Sequence, residues 1–171
     1  MKSKIAICSL LFALCAAGAD AATTNWYAGG SVGFGGQHID GTNLTAQSYG
    51  AVVGLDIPMF RFDAEYDYLT GTKDGNRLNA HAGMLNAYAK MPAAMVRPYV
   101  GAGIGAIVAG DIEGYDLDTS LAFQGMLGVQ FGIPATKVFL DLEGRALYSP
   151  NIVEDVALTH YDVRLKLRYA F

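Results

Sequence analysis

Tyr161-Asp162-Val163-Arg164-Leu165-Lys166-Leu167-Arg168-Tyr169-Ala170-Phe171, the last eleven residues of the chain, is the stretch that decides the fold. Successive side chains of a strand point to opposite sides. Tyr161, Val163, Leu165, Leu167, Tyr169 and Phe171 therefore share one face, and Asp162, Arg164, Lys166 and Arg168 share the other. The apolar face has aromatics at both ends and aliphatics between, the layout of a strand crossing a bilayer with its rings at the two interfaces. At about 3.3 Å per residue and a tilt of about 40°, such a stretch rises roughly 25 to 28 Å, the height of the apolar band of an outer-membrane barrel. A soluble edge strand can alternate in the same way, but it rarely stops on a terminal Phe with rings at both ends of its apolar face.

The opposite end of the chain agrees with export. Lys2 and Lys4 precede an apolar run from Ile5 to Ala17, and Ala19-Asp20-Ala21 is a small-x-small cleavage signal, so residues 1–21 read as a secretory signal peptide. Both cysteines, Cys8 and Cys15, lie within it. Leu14 and Ile7 precede them where a lipidation signal needs a small residue. The expected mature chain, Ala22 to Phe171, therefore has no disulfide to hold it. The sequence is 52% hydrophobic, yet no run after the signal approaches the roughly 18 apolar residues of a membrane helix. An apolar exported chain without such a helix satisfies its backbone in lipid only as a closed barrel.

Seven further segments alternate in polarity between turn signals. Trp26 to Phe34 opposes Trp26, Ala28, Val32 and Phe34 to Tyr27, Gly29, Ser31 and Gly33. Tyr49 to Ile57 is followed by the turn Pro58-Met59, and Phe60 to Leu69 opposes Phe60, Phe62, Ala64, Tyr66 and Tyr68 to Arg61, Asp63, Glu65 and Asp67. Leu78 to Met91 has two competing apolar sets. Setting Leu85, Ala87, Ala89 and Met91 toward lipid turns Asn86 and Lys90 inward. Arg97 to Ala106 puts Val100, Ala102, Ile104 and Ala106 outside and glycines inside. Leu121 to Phe131 and Val138 to Tyr148 complete the set. Short turns at Pro58-Met59, Pro92 to Met95 and Ile133 to Lys137 fall on one side. Longer loops, Gly35 to Ser48, Thr70 to Arg77, Ala109 to Ser120 and Ser149 to His160, fall on the other. The expectation is an all-β fold, an eight-stranded antiparallel up-and-down transmembrane β-barrel over residues 22–171 with both termini in the periplasm.

Assigning charges to faces gives an inward set of Asp56, Asp63, Glu65, Asp67, Asp141, Glu143 and Asp162 against Arg61, Lys90, Arg97, Arg145, Arg164, Lys166 and Arg168, seven of each sign. An eight-strand barrel encloses little more than its own side chains, so this balanced set is expected to plug the lumen as an ionic network. A narrow proton or ion path along the same charges is the functional alternative. A lysine or arginine turned to the bilayer midplane costs roughly 2 to 4 kcal/mol, so the three bases of the last strand fix its register.

The long loops carry Asp40, Asp74, Asp111, Glu113, Asp116, Asp118, Glu154 and Asp155 against Lys73 and Arg77. An acidic outer rim disfavours nucleic acid, and it disfavours lipid phosphates unless cations bridge. The acids between Asp111 and Asp118 offer oxygen ligands for Ca²⁺, but their spacing matches no EF-hand loop and a solvated acidic loop is the simpler reading. His38, His81 and His160 are the histidines of the chain, and Ser149, His160 and Glu154 would make a triad at the membrane edge. No nucleophile motif surrounds Ser149, and Ser-Pro after a strand is ordinary turn chemistry, so no enzyme, metal or cofactor is expected.

Arg97 to Gly105, the opening Trp26-Tyr27-Ala28-Gly29-Gly30 and the terminal Tyr169-Ala170-Phe171 together resemble the opacity-protein and OmpA-type family of small outer-membrane barrels. The resemblance implies integral placement in a Gram-negative outer membrane, among its phospholipid and lipopolysaccharide. It also implies Tyr169 and Phe171 as a terminal signal read by the outer-membrane assembly machinery. Two departures stand out: the family's adhesins carry longer, variable loops, and these 171 residues hold no counterpart of OmpA's peptidoglycan-binding domain. The function expected is a structural or surface-interaction role, adhesin-like, with a small porin-like channel and a lipid-modifying enzyme as alternatives.

Overall fold

In the computed structural model the described residues are 24–39, 42–73, 76–92, 96–110, 119–153 and 156–171. They build β1 (Asn25–Ile39), β2 (Thr42–Asp56), β3 (Phe60–Lys73), β4 (Asn76–Lys90), β5 (Val96–Gly110), β6 (Thr119–Gly132), β7 (Val138–Val153) and β8 (Val156–Ala170). Each strand pairs antiparallel with the next. β1 closes on β8 with Tyr27 opposite Ala170 and Phe34 opposite Val163. The closing strand read from the C-terminus thus has partners on both sides, and no edge is left exposed to lipid.

Alternation in the sequence becomes alternation between wall and lumen. On β8, Tyr161, Val163, Leu165, Leu167 and Tyr169 are exposed to the outside while Asp162, Arg164, Lys166 and Arg168 are buried within. On β4 the competition resolves as expected: Leu85 faces outward, and Asn86 and Lys90 are buried inside. Outward rings recur eight positions apart along four strands, as Trp26 and Phe34, Phe60 and Tyr68, Phe123 and Phe131, and Tyr161 and Tyr169. At the usual rise and tilt that spacing is about 20 Å of height, so two aromatic girdles bracket an apolar belt. Among the described residues no Asp, Glu, Lys or Arg faces outward between the girdles.

The strands run 14 to 16 residues, longer than the alternating segments of the sequence. Most of the stretches expected as long outer loops are strand. β1 continues to Ile39 before β2 begins at Thr42, β3 to Lys73 before Asn76, and β7 to Val153 before Val156. Beyond the outer girdle the outward side chains include polar ones such as His38 and Asn43 and the buried inward ones include Gln37 and Ser48, so polarity stops alternating while the backbone ladder continues. The acids counted on the outer rim lie outside the described residues.

Glycine supplies the space that the lumen needs. A Cβ on Gly128 would sit 2.6 Å from the Tyr99 ring, and one on Gly101 would run into the ring of Tyr88. These close approaches are why glycines occupy inward positions on β5 and β6.

The barrel lumen as candidate functional site

The inward residues of β3, β7 and β8 rise through the barrel in step, and charges from the three strands meet in layers. Nearest the end that carries the chain terminus, the guanidinium of Arg168 donates two bonds to Asp141, Nε to Oδ2 at 2.8 Å and Nη2 to Oδ1 at 2.9 Å. Arg61 Nη1 donates to the same Asp141 Oδ2 at 2.9 Å. Arg61 also lies over the rings of Tyr88 and Tyr99, 3.9 and 4.7 Å from their centroids, which suits a planar, weakly hydrated cation. Lys90 pairs with Asp56 at this end. Arg97 lies half-buried at the same mouth, where a cavity of about 510 Å³ is lined in part by Tyr27, Asp56, Arg97, Phe139 and Arg168.

Arg164 holds the middle layer. Its Nη1 donates to Glu65 Oε1 at 2.8 Å and its Nε to Glu143 Oε1 at 2.7 Å, while Lys166 Nζ lies 3.2 Å from each of those carboxylates. Neutral donors fill the remaining lone pairs. Tyr99 Oη donates to Glu143 at 2.8 Å, Tyr27 Oη to Asp63 at 2.5 Å, and Asn86 Nδ2 to both Asp63 and Glu65 at 2.7 and 3.0 Å. Gln124 Nε2 in turn donates to Asn86 Oδ1 at 2.7 Å. One layer further out Arg145 bridges two strands, Nη1 to Asp67 at 2.5 Å and Nη2 to Asp162 at 2.8 Å, and Ser48 Oγ donates to Asp162 at 2.5 Å.

Arg61, Asp63, Glu65, Asp67, Asp141, Glu143, Arg145, Asp162, Arg164, Lys166 and Arg168 all lie in this lumen, none more than 7% exposed. Charges so far from water are tolerated only when paired and hydrogen-bonded, which these are.

Above the charges lies a layer that the sequence reading missed. Leu69, Ala80, Ala82, Met84, Ile107, Ala122, Leu147 and Leu158 form an apolar cluster inside the barrel, each 2% exposed or less. Leu69 continues the inward positions of Asp63, Glu65 and Asp67, and Leu147 continues those of Asp141, Glu143 and Arg145. Position along the strand was the available signal. Polarity, the signal actually followed, changes sign there.

Ser149 and His160 do not stand at the membrane edge. Both are fully buried in the lumen, Ser149 Oγ donates to the Leu121 carbonyl at 3.0 Å, and His160 Nε2 lies 3.1 Å from Asp162. Strand β7 runs on past Tyr148, so Ser149 inherits the inward side instead of a turn. Glu154 lies outside the described residues, as does the acidic run from Asp111 to Asp118.

A closed eight-strand barrel with a belt of lipid-facing apolar residues, two aromatic girdles and its charges turned inward is an integral outer-membrane barrel. The chain belongs to the family described as outer membrane protein beta-barrel domain, whose model matches residues 6–171. That is the class to which the terminal and glycine-rich motifs pointed. Comparison of the sequence with curated proteins gave no match. Among solved structures, the chain is similar to Neisserial surface protein A, from Neisseria, with a TM-score of 0.74 and 20% identity over 85% of this chain and 97% of that one. The N-terminal barrel domain of OprF from Pseudomonas aeruginosa aligns with a TM-score of 0.51 and 16% identity, covering 84% of this chain and 97% of the other. At such identities the likeness is one of fold.

Proposed function

We propose that the barrel is a membrane anchor with a sealed lumen, and that the protein acts at the cell surface, in a structural or adhesin-like role, through what its outer ends present. The observation that carries this reading is the filled interior: compensated charge layers below and an apolar layer above leave the lumen to its own side chains. Ser149 and His160, the candidate nucleophile and base, are buried inside that packing, which supports a role without catalysis. We read residues 1–21 as a signal peptide removed on export, and Tyr169 and Phe171 as the segment recognised during assembly. Phe171 lies exposed at the end of β8, its N–H bonded to the Trp26 carbonyl at 2.9 Å, so its ring is presented where the barrel closes.

Replacing residues 111–118 by a short Gly-Ser turn tests the surface role. Loss of cell adhesion, with the heat-modifiable barrel intact, is expected. Unchanged surface binding in that strain and in a gene-deletion strain contradicts the proposal. Deleting Phe171 is expected to lower the amount of folded barrel in the outer membrane, and normal insertion counts against its part in assembly.

A further inference from the structure

The charges of the lumen balance as a whole but not layer by layer. At the end that carries the chain terminus, Arg61, Lys90, Arg97 and Arg168 stand with Asp56 and Asp141, four bases to two acids. The next carboxylates inward, Asp63 and Glu143, lie 3.8 and 3.9 Å from the Arg61 guanidinium, outside hydrogen-bond reach, and the same oxygens accept from Tyr27 and Tyr99. Donors in this layer outnumber their acceptors. Arg168 Nη1, Arg61 Nε, Arg61 Nη2 and Gln130 Nε2 are buried and have no hydrogen-bond partner among the described residues, and Gln130 Oε1 is the one acceptor left over beside them. Gln130 belongs here because β6 sets it next to Arg97 on β5 and Asp141 on β7. A buried N–H without an acceptor is costly, most of all on a charged group, so the layer is short of oxygen.

The cavity of about 510 Å³ opens on this layer, a volume within the range of about 300 to 1,000 Å³ usual for small-molecule sites. Two arginines, Arg97 and Arg168, line it. Asp56, the one acid among its lining residues, is engaged by Lys90 and lies 3.6 Å from Arg168 Nη1. The rest of the wall is mainly apolar, with Ile57, Pro58, Pro92, Phe139 and Ala170. Arg168 is fixed in place from below and from the sides: two of its nitrogens are spent on Asp141, and its guanidinium lies 4.7 Å from the Tyr27 ring centroid and 5.5 Å from that of Phe139. A rigid guanidinium with one nitrogen unspent, set between rings at the floor of an apolar-walled mouth, suits a ligand that has an oxyanion at one end and an apolar body at the other.

We propose that this mouth is a binding site for a small organic carboxylate with an apolar or aromatic body. The carboxylate accepts from Arg168 Nη1 and is drawn in by Arg97, and the body packs against Phe139, Ile57 and the two prolines. The carboxylate supplies both the negative charge and the acceptor oxygen that the layer lacks, and a hydrogen bond to a charged oxygen is roughly twice as strong as a neutral one. A bare inorganic anion would meet the charge but leave the apolar walls uncovered. Binding stops at the mouth, so it is independent of whether the lumen above is sealed.

The test is a nuclear magnetic resonance titration of the ¹⁵N-labelled, full-length barrel in non-ionic detergent micelles at low salt, read on the arginine side-chain N–H signals. The probes are 3-phenylpropionate, its neutral amide and inorganic phosphate. With 3-phenylpropionate the Arg168 and Arg97 signals are expected to shift and saturate together, and the amide and phosphate to bind about tenfold more weakly or worse. Arg97→Gln, at the half-buried position, is expected to weaken 3-phenylpropionate about tenfold, and Arg168→Gln to abolish its binding. Lys137→Gln, an exposed charge in the turn at the same end, is expected to leave it unchanged. Heat-modifiability shows which variants have folded, and Arg97→Gln keeps the test decisive if Arg168→Gln does not fold. No saturable shift in the wild type, equal binding of the amide or of phosphate, or undiminished binding in folded Arg97→Gln overturns the proposal.

Discussion

Arg164→Met separates a sealed lumen from a wet one. Arg164 makes four close contacts with carboxylates: Nε and Nη2 to Glu143 Oε1 at 2.7 and 2.6 Å, and Nη1 and Nη2 to Glu65 at 2.8 and 3.2 Å. Methionine fills much of the same volume without the charge. It leaves Lys166, 3.2 Å from each, as the nearest cation to Glu65 and Glu143, beside the neutral donors Asn86 and Tyr99. Removing one partner from a buried, hydrogen-bonded ion cluster costs about 3 to 5 kcal/mol, whereas the same change in a hydrated, screened channel costs about 1 kcal/mol or less. Equilibrium unfolding in urea of the barrel refolded into lipid vesicles measures the difference as a shift of midpoint at constant slope. The double variant Arg164→Met with Glu143→Gln is expected to recover about 1 to 2 kcal/mol, because one stranded charge is removed with its partner. A loss of about 1 kcal/mol or less for the single variant, with no recovery in the double, would refute the argument for a dry, paired interior.

Two other substitutions probe the wall. Leu165→Arg, at an outward position near mid-height of β8, is expected to destabilise the barrel by about 2 to 4 kcal/mol in vesicle unfolding, and a neutral result would place that position away from the lipid. Gly101→Ala and Gly125→Ala form a contrasting pair: the first drives a methyl into the buried Tyr88 ring and is expected to cost about 1 to 3 kcal/mol, while the second, open within 4 Å, is expected to change stability by under about 0.5 kcal/mol.

The sequence made the strands legible wherever one face met lipid and the other met charge. From Tyr161 to Tyr169, and from Phe60 to Asp67, every residue has the facing that its polarity implies, since a one-residue slip would put arginines or carboxylates into the belt. Legibility faded at both limits of that contrast. Past the outer girdle the outward face carries polar residues such as His38, while polar Gln37 and Ser149 stay buried inside, so polarity stops alternating, and Gly35 to Ile39 and Ser149 to Val153 read as loop although they pair as strand. Inside the lumen, Leu69, Leu147 and Leu158 share the facing of the charges beneath them while being apolar, and a reading based on polarity passed over the layer they form. The pairing itself was invisible for a different reason. Arg164 meets Glu65, and Arg145 meets Asp67, across the lumen and far apart in sequence, so the charge balance was countable but the partners emerged only with barrel closure. The triad of Ser149, His160 and Glu154 failed on this point as well, because proximity in sequence across β7 and β8 put two of its members inside the packing and not at a surface.

Electrical recording addresses the sealed lumen most directly. Purified full-length barrel, inserted into planar bilayers in 1 M KCl (roughly a 3 Å screening length) and held at potentials of either sign, is expected to show a flat baseline, because packed ion pairs and an apolar cluster occupy the axis. Steady, reproducible single-channel openings whose size changes in Arg164→Met would contradict it and would assign the layered charges to conduction.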